Sequence, residues 1–206
     1  MIQSFGEGRQ SILELFFIRH GQGIHNTNIP DRLNYSNPRL TEKGKEQVKR
    51  LHDTFYFKEE DVFLVSPTIR TIETANLLTS NLFHVTKFVH PLVGPRIFPL
   101  PENPKSHVSK CDEIYPITAI RKDHPDFIIQ QEDHVNLWNE GINTMSQEAF
   151  DALGDELLSW VQSLKKERIF IVAHDGTITN YRILLGEEGL TRDDFLGEAG
   201  WHKVKL

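Results

Sequence analysis

Three short apolar runs, each followed at once by polar side chains, constrain the fold of this chain most. The runs are residues 13–18, 62–65 and 169–173, and a weaker one covers 85–89. They are nearly unbroken and rich in β-branched or aromatic residues, which is typical of strands buried on both faces of a parallel sheet. The sequence therefore predicts a central sheet that is mainly parallel.

Amphipathic helical patterns alternate with these runs. Thr41 is a candidate N-cap for the first helix, and Ser66-Pro67 has the composition of an N-cap and first helical residue of the second. An apolar stripe from Phe150 to Leu164 predicts a third helix, and a fourth is expected from near Asp175 to Gly186, a residue suited to ending a helix. The alternation predicts an α/β fold with three layers, α/β/α, in which helices cover both faces of the sheet.

Residues 91–143 interrupt this alternation. The segment contains seven prolines and sustains no helical or strand period for long, although residues 117–122 could form a helix. It is too long for an ordinary connection, so we predict an inserted lid. With 206 residues in all, we expect one domain over 1–206 that carries this insertion.

Polar side chains gather where the predicted strands end. Arg19 and His20 follow the first strand, Ser66 and Arg70 follow the second, and His174 follows the third. Ligands of open α/β sheets bind at the carboxyl ends of the strands, so these residues are expected to converge. Two guanidinium groups and two helix N-termini favour an anion, and phosphate fits them best. Asn26, in the turn after His20, can add a neutral donor.

A histidine in such a site can act as a nucleophile. Neutral imidazole attacks phosphorus without prior activation if its other nitrogen is held as an N–H donor. Neighbouring positive charge lowers the pKa of the ring and keeps it neutral. We therefore expect His20 to attack phosphorus, and because protein cations stabilise the charge, we expect neither a metal nor another cofactor.

Composition narrows the other options. The formal net charge is −6, which argues against nucleic-acid binding. A lone cysteine, Cys111, indicates a reducing compartment, and we predict a cytoplasmic protein. Residues 1–10 are polar and the apolar run that follows is far too short to cross a bilayer, so no signal peptide or membrane association is expected.

Four ordered motifs resemble those of the histidine phosphatase superfamily, branch 1, which has the phosphoglycerate-mutase-like fold. They are Arg19-His20-Gly21, Leu40-Thr41-Glu42-Lys43-Gly44, residues 66–75 with the pattern S-P-x-x-R-x-x-x-T-A, and Val172-Ala173-His174-Asp175-Gly176. The resemblance implies that His20 becomes a phosphohistidine. It also implies that Arg19, Asn26, Arg70 and His174 hold the phosphoryl oxygens.

The general acid is open between two carboxyl groups. The family's acid is usually a Glu in an L-x-E segment after the third strand, and Leu100-Pro101-Glu102 is similar to that segment. Asp175 resembles instead the Asp of the His-Asp pair in branch 2, where the Asp serves as the acid. The resemblance therefore implies Glu102, with Asp175 as its competitor.

The resulting hypothesis is a metal-independent phosphatase that hydrolyses a phosphomonoester of a small metabolite through a phosphohistidine on His20. A phosphoglycerate mutase is the first alternative, although residues 27–39 lack the Trp-containing pattern of the familiar mutases. The second is a module that binds a phosphorylated ligand without catalysis. The sequence leaves the substrate and the oligomeric state open.

Overall fold

A computed structural model describes residues 12–206. The interpretation of residues 1–10 as lacking a signal sequence lies outside the described residues. Six strands and six α-helices are present in this part of the chain. In chain order they are β1 (Glu14–Arg19), α1 (Glu42–Lys49), β2 (Val62–Val65), α2 (Ile69–Leu78), β3 (Thr86–Val89), α3 (Ile117–Asp123), β4 (Ile128–Ile129), α4 (Val135–Glu140), α5 (Gln147–Ser163), β5 (Arg168–Ala173), α6 (Asp175–Leu184) and β6 (Trp201–Lys205).

The strands form one sheet with the order β4-β3-β2-β5-β1-β6. Strand β6 runs antiparallel to β1, whereas the other neighbouring strands are parallel. The predicted sheet of mainly parallel strands is therefore confirmed. In the register, Arg19 lies beside Ala173 and Val65 lies beside Val172, so β1, β2 and β5 end at the same edge.

Apolar cores cover both faces of the sheet and confirm the three layers. Successive residues of β1 point to opposite faces: Phe16 packs in the core under α1 and α2, and Phe17 packs in the core under α5 and α6. The Phe16 and Phe170 rings stack with centroids 4.8 Å apart. Because helices cover both faces of the sheet, the side chains on both faces of a central strand are buried. This explains why the central strands are nearly unbroken apolar runs.

The helix ends agree with the sequence in most places. Thr41 accepts a hydrogen bond from the backbone N–H of Gly44 and caps α1, as expected, and Gly186 follows α6 with a φ of 97°. The predicted start of the second helix is wrong. Thr68 precedes the first residue of α2, and Ser66-Pro67 forms the turn between β2 and that helix.

Residues 91–143 pair with the sheet and pack into both of its cores, more closely than we expect of an inserted lid. They contain α3 at its predicted place, as well as α4 and the short strand β4, which pairs with β3. Ile120 and Trp138 pack in the core on one face of the sheet, and Ile142 packs in the core on the other. This packing fixes the path of the segment over the edge where the strands end.

The sequence analysis did not predict β4 or β6. Strand β4 has two residues, too few to show a period, and β6 alternates exposed and half-buried positions at the edge of the sheet. Within residues 12–206, no helix combines the length and apolar character needed to cross a bilayer.

Candidate active site

The ends of three strands bring His20, Ser66 and His174 together. The His20 and His174 ring centroids lie 5.2 Å apart although the residues are far apart in sequence. The side chain of Arg70, from the first turn of α2, lies between them. All four residues are buried. The predicted convergence of these side chains is therefore present in the structure.

The ring of His20 has a defined tautomer. Its Nδ1 lies 2.7 Å from the carbonyl oxygen of Gly21 and donates to it, and its Nε2 accepts from Nε of Arg70 at 3.3 Å. Burial and the adjacent Arg70 charge lower the pKa of His20 well below its usual 6.5. The ring is therefore neutral at pH 7, and its unprotonated Nε2 is the atom that can attack.

His174 is neutral for the same reasons and has the opposite tautomer. A guanidinium group has only donors, so Nδ1 of His174 accepts from Nη2 of Arg70 at 3.2 Å. Nε2 therefore carries the proton, which it donates to Oγ of Ser66 at 2.7 Å. Burial, and next the charge of Arg70, lower the pKa of His174 well below 6.5.

Arg70 links the parts of the site. Besides its contacts with the two histidines, its Nη1 donates to the carbonyl oxygen of Cys111 at 2.7 Å, and its Nη2 lies 3.8 Å from Oδ1 of Asp112. Only 1% of this side chain is exposed. A buried charge with fixed contacts on every side is a rigid donor group for an anion.

Arg19 and Asp175 form an ion pair at the rim. Nη2 of Arg19 lies 2.8 Å from Oδ2 of Asp175, and Nη1 of Arg19 donates to the carbonyl oxygen of Leu196. The other oxygen of Asp175, Oδ1, accepts from the backbone N–H of Gly176 at 2.7 Å. Asn26 lines the same cavity and accepts from the backbone N–H of Gly23. The two expected phosphate ligands, Arg19 and Asn26, thus both line the cavity that holds His20.

Two glycines allow the turn after β1 to pack against α1. A Cβ atom on Gly21 would lie 2.4 Å from the carbonyl oxygen of Gly44, and a Cβ on Gly44 would lie 2.1 Å from that of Gln22. A larger residue at either place would push the turn away from α1. The glycines of two separate motifs therefore serve one close contact, which fixes the position of His20.

A cavity of about 420 Å³ opens over these residues. His20, Arg70 and His174 form its floor, and further residues form its wall. They are His25, Phe98, His107, Ser109, Asp112, Asn143, Arg192 and Phe195. Most belong to 91–143 or to the turn before β6, where no period or motif indicates which side chains face inward.

Glu102 lies outside this cavity. It is exposed in a loop, and the residues that line the cavity do not include it. Strand β3 ends at Val89, and the first leucine after it, Leu92, is followed by Val93 and Gly94, so no glutamate completes an L-x-E segment there. Glu102 lies further along the chain and outside the cavity, so the geometry gives no support to Glu102 as the acid.

Asp112 is, with Asp175, one of two carboxyl groups that line the cavity. It ends a short 3-10 helix, Lys110–Asp112, and its Oδ2 accepts from Nδ2 of Asn143 at 3.3 Å. Burial raises the pKa of Asp112, and the charge of Arg70 opposes that rise. Among the described residues, no three His, Cys, Asp or Glu side chains form a candidate metal site.

The sequence model of the histidine phosphatase superfamily, branch 1, matches part of this chain. The match covers residues 15–88, which include β2, most of β1 and β3, and the residues His20 and Arg70. The fold and the strand-end histidines described above agree with this match.

Proteins similar to this chain carry the names of mutases and of phosphatases. Phosphoglycerate mutase-like protein 1 of Arabidopsis thaliana is 25% identical over 193 residues, covering 79% of this chain and 68% of the relative. Phosphoglycerate mutase from Bacillus anthracis superposes with a TM-score of 0.61 at 18% identity, covering 96% of this chain and 89% of that one. Alpha-ribazole phosphatase from Shigella flexneri superposes with a TM-score of 0.57 at 19% identity, covering 93% and 89%. These structural similarities show a shared fold.

Proposed function

We propose that this protein is a phosphatase that hydrolyses a phosphomonoester through a phosphohistidine on His20. The observation that supports this most is the state of the His20 ring, which is neutral, held through Nδ1 by the carbonyl oxygen of Gly21, and unprotonated at Nε2, the atom that attacks once the substrate replaces the hydrogen bond from Arg70. A nucleophile fixed in this way needs no separate base to activate it.

The surrounding groups fit the transfer of a phosphoryl group. Arg70 and His174 contact the space next to Nε2 of His20, and Arg19 lies at its rim. As phosphorus passes from the substrate oxygen to His20, negative charge on its equatorial oxygens is stabilised by the guanidinium groups of Arg70 and Arg19, and by His174 once its N–H turns from Ser66 to the phosphoryl group. The cavity of about 420 Å³ suits a small phosphorylated metabolite.

The first experiment is to detect the phosphoenzyme. Purified full-length protein is mixed with 4-nitrophenyl phosphate, quenched in alkali and analysed by peptide mass spectrometry. We expect an acid-labile phosphoryl group on His20 and steady release of phosphate in the presence of EDTA. His84→Ala, a change at an exposed histidine away from the cavity, serves as the control and keeps both signals. Turnover by His20→Ala at the wild-type rate would contradict the proposal.

A mutase is the second candidate, favoured by the mutase-like relatives. It would form the same phosphohistidine but return the phosphoryl group to a bound acceptor. Incubation with 3-phosphoglycerate separates the two functions, because isomerised product indicates a mutase and free phosphate indicates a hydrolase. A protein that binds the compound without any product would be a binding module.

A further inference from the structure

A second catalytic group is needed, because an alkoxide leaves poorly without a proton. A carboxyl group in the cavity that holds His20 can supply the proton, and the sequence analysis left Glu102 and Asp175 as candidates. Glu102 lies outside that cavity. Both oxygens of Asp175 are already engaged, Oδ2 by the guanidinium of Arg19 and Oδ1 by the N–H of Gly176.

Asp112 is differently placed. Its side chain is 25% exposed, enough to meet a substrate in the cavity while most of it is buried. Oδ2 accepts one hydrogen bond, from Asn143, and Oδ1 has Nη2 of Arg70 at 3.8 Å. A carboxyl group with so few strong donors around it retains an oxygen that can carry a proton toward a ligand.

The position of Asp112 is tied to that of the nucleophile. Arg70 contacts Nε2 of His20 through Nε, and through Nη1 it holds the carbonyl oxygen of Cys111, the residue before Asp112. A guanidinium group is planar and rigid. One rigid group therefore fixes both the ring of His20 and the backbone beside Asp112.

We propose that Asp112 protonates the leaving oxygen of the substrate and then accepts a proton from the attacking water. This inference rests on the proposed function, since it supplies the proton donor and acceptor for that reaction. The charged and titratable groups that face Asp112 are Arg70, Asp175 and the Cys111 thiol. Burial raises the pKa of Asp112, which favours the protonated form that the first step requires.

The proposed reaction has two steps, phosphoryl transfer to His20 and then to water. In the first, Nε2 of His20 forms a bond to phosphorus, the bond from phosphorus to the leaving oxygen breaks, and the proton of Asp112 passes to that oxygen. In the second, a water oxygen attacks phosphorus, the N–P bond breaks, and a proton of the water passes to the Asp112 carboxylate. His20 and Asp112 return to their starting states, and an alcohol and phosphate are released.

The test uses Asp112→Asn with two substrates that differ in their need for a proton. The phenolate of phenyl phosphate leaves poorly, whereas the 4-nitrophenolate ion leaves without protonation. We expect kcat/KM for phenyl phosphate to fall by about 10²-fold or more and kcat/KM for 4-nitrophenyl phosphate to change by less than about 10-fold. With 4-nitrophenyl phosphate, phosphohistidine accumulates after a burst of product, because the base of the second step is missing.

Glu113→Gln is the matched control, since Glu113 is the adjacent exposed carboxylate and does not line the cavity. It keeps the wild-type dependence on the leaving group. An equal loss for both substrates in Asp112→Asn, or no loss for either, overturns the proposal. So does a selective loss of phenyl phosphate activity in Asp175→Asn or Glu102→Gln in its place.

A second variant keeps the inference testable if Asp112→Asn does not fold. Asn143→Ala removes a hydrogen bond that lowers the pKa of Asp112, so that pKa rises. The alkaline limb of kcat/KM for phenyl phosphate then moves to higher pH, and an unmoved limb contradicts the proposal. If wild-type protein shows no phosphohistidine on His20, the proposed function itself fails. If the phosphohistidine forms but the variants do not show the expected changes in kcat/KM, only the role of Asp112 fails.

Discussion

Two regions of the cavity differ in how they are built. The inner region, Arg19, His20, Arg70 and His174, consists of residues at or just after the ends of core strands. The outer region, Phe98, His107, Ser109, Asp112, Arg192 and Phe195, comes from loops and 3-10 turns. The inner residues are mostly buried and bonded to one another, whereas the outer residues are half-buried or exposed.

The difference separates two tasks. A phosphoryl group is the same in every substrate, so its site can be built on rigid strand ends with fixed donors. The rest of the substrate differs among enzymes, and loops can change without disturbing the sheet. We therefore expect changes in the inner region to affect every substrate alike and changes in the outer region, apart from the proposed acid Asp112, to discriminate between substrates.

His20→Ala is expected to have the largest effect, because it removes the attacking atom. We expect kcat to fall by about 10⁴-fold or more for every phosphomonoester. Steady-state phosphate release from several aryl and alkyl phosphates measures this. A loss confined to one class of substrate would show that His20 does not belong to the common phosphoryl site.

Arg70→Lys is expected to cost almost as much as Arg70→Ala. A lysine places one charge but cannot contact His20, His174 and the Cys111 carbonyl at once. We expect kcat to fall by about 10²-fold to 10³-fold in both variants. If Arg70→Lys keeps most of the activity, the site needs only a positive charge and not the several donors of the planar guanidinium group.

The buried neutral histidines predict a dependence of stability on pH. Burial lowers the pKa values of His20 and His174 well below 6.5, and lowers that of His25 to about 3. The unfolded chain takes up protons below about pH 6.5 and the folded chain does not. The free energy of unfolding therefore falls as pH drops below 6.5, by about 1.4 kcal/mol per pH unit for each such group, and is level above it.

His20→Asn tests this with urea unfolding between pH 7 and pH 5. Its slope below pH 6.5 should be smaller than that of the wild type, because one titrating group is gone. Phe98→Leu, a change in the outer region that adds or removes no titrating group, should keep the wild-type slope. Equal slopes for His20→Asn and wild type would mean that His20 is charged in the folded protein.

Phe98→Ala and Phe195→Ala probe the outer region and should have the smallest effects. The two rings lie with centroids 6.1 Å apart on the wall of the cavity. We expect KM to rise by about 10-fold for phosphates with a bulky apolar group and to change little for small ones. The rate of phosphohistidine hydrolysis, measured after a burst, should stay the same, and its loss would show that the two regions are coupled.

The sequence predicted the inner region well and the outer region poorly. The strands that carry His20 and His174 are strongly apolar, and parallel strands place their carboxyl ends at one edge, so convergence follows from local patterns. Glu102 was chosen from a three-residue segment in a proline-rich stretch, where neither helical nor strand period indicates the direction of a side chain. The structure places Asp112, ten residues further on, in the cavity and leaves Glu102 outside.

By itself the sequence determined the layers, the mainly parallel sheet and the resemblance to the histidine phosphatase superfamily, because periodicity and motifs are local. Only the tertiary structure decided which carboxyl groups line the cavity and that β6 forms the edge of the sheet beside β1. The path of residues 91–143 depends on distant contacts, such as Trp138 in one core and Ile142 in the other, and no stretch of local sequence encodes both.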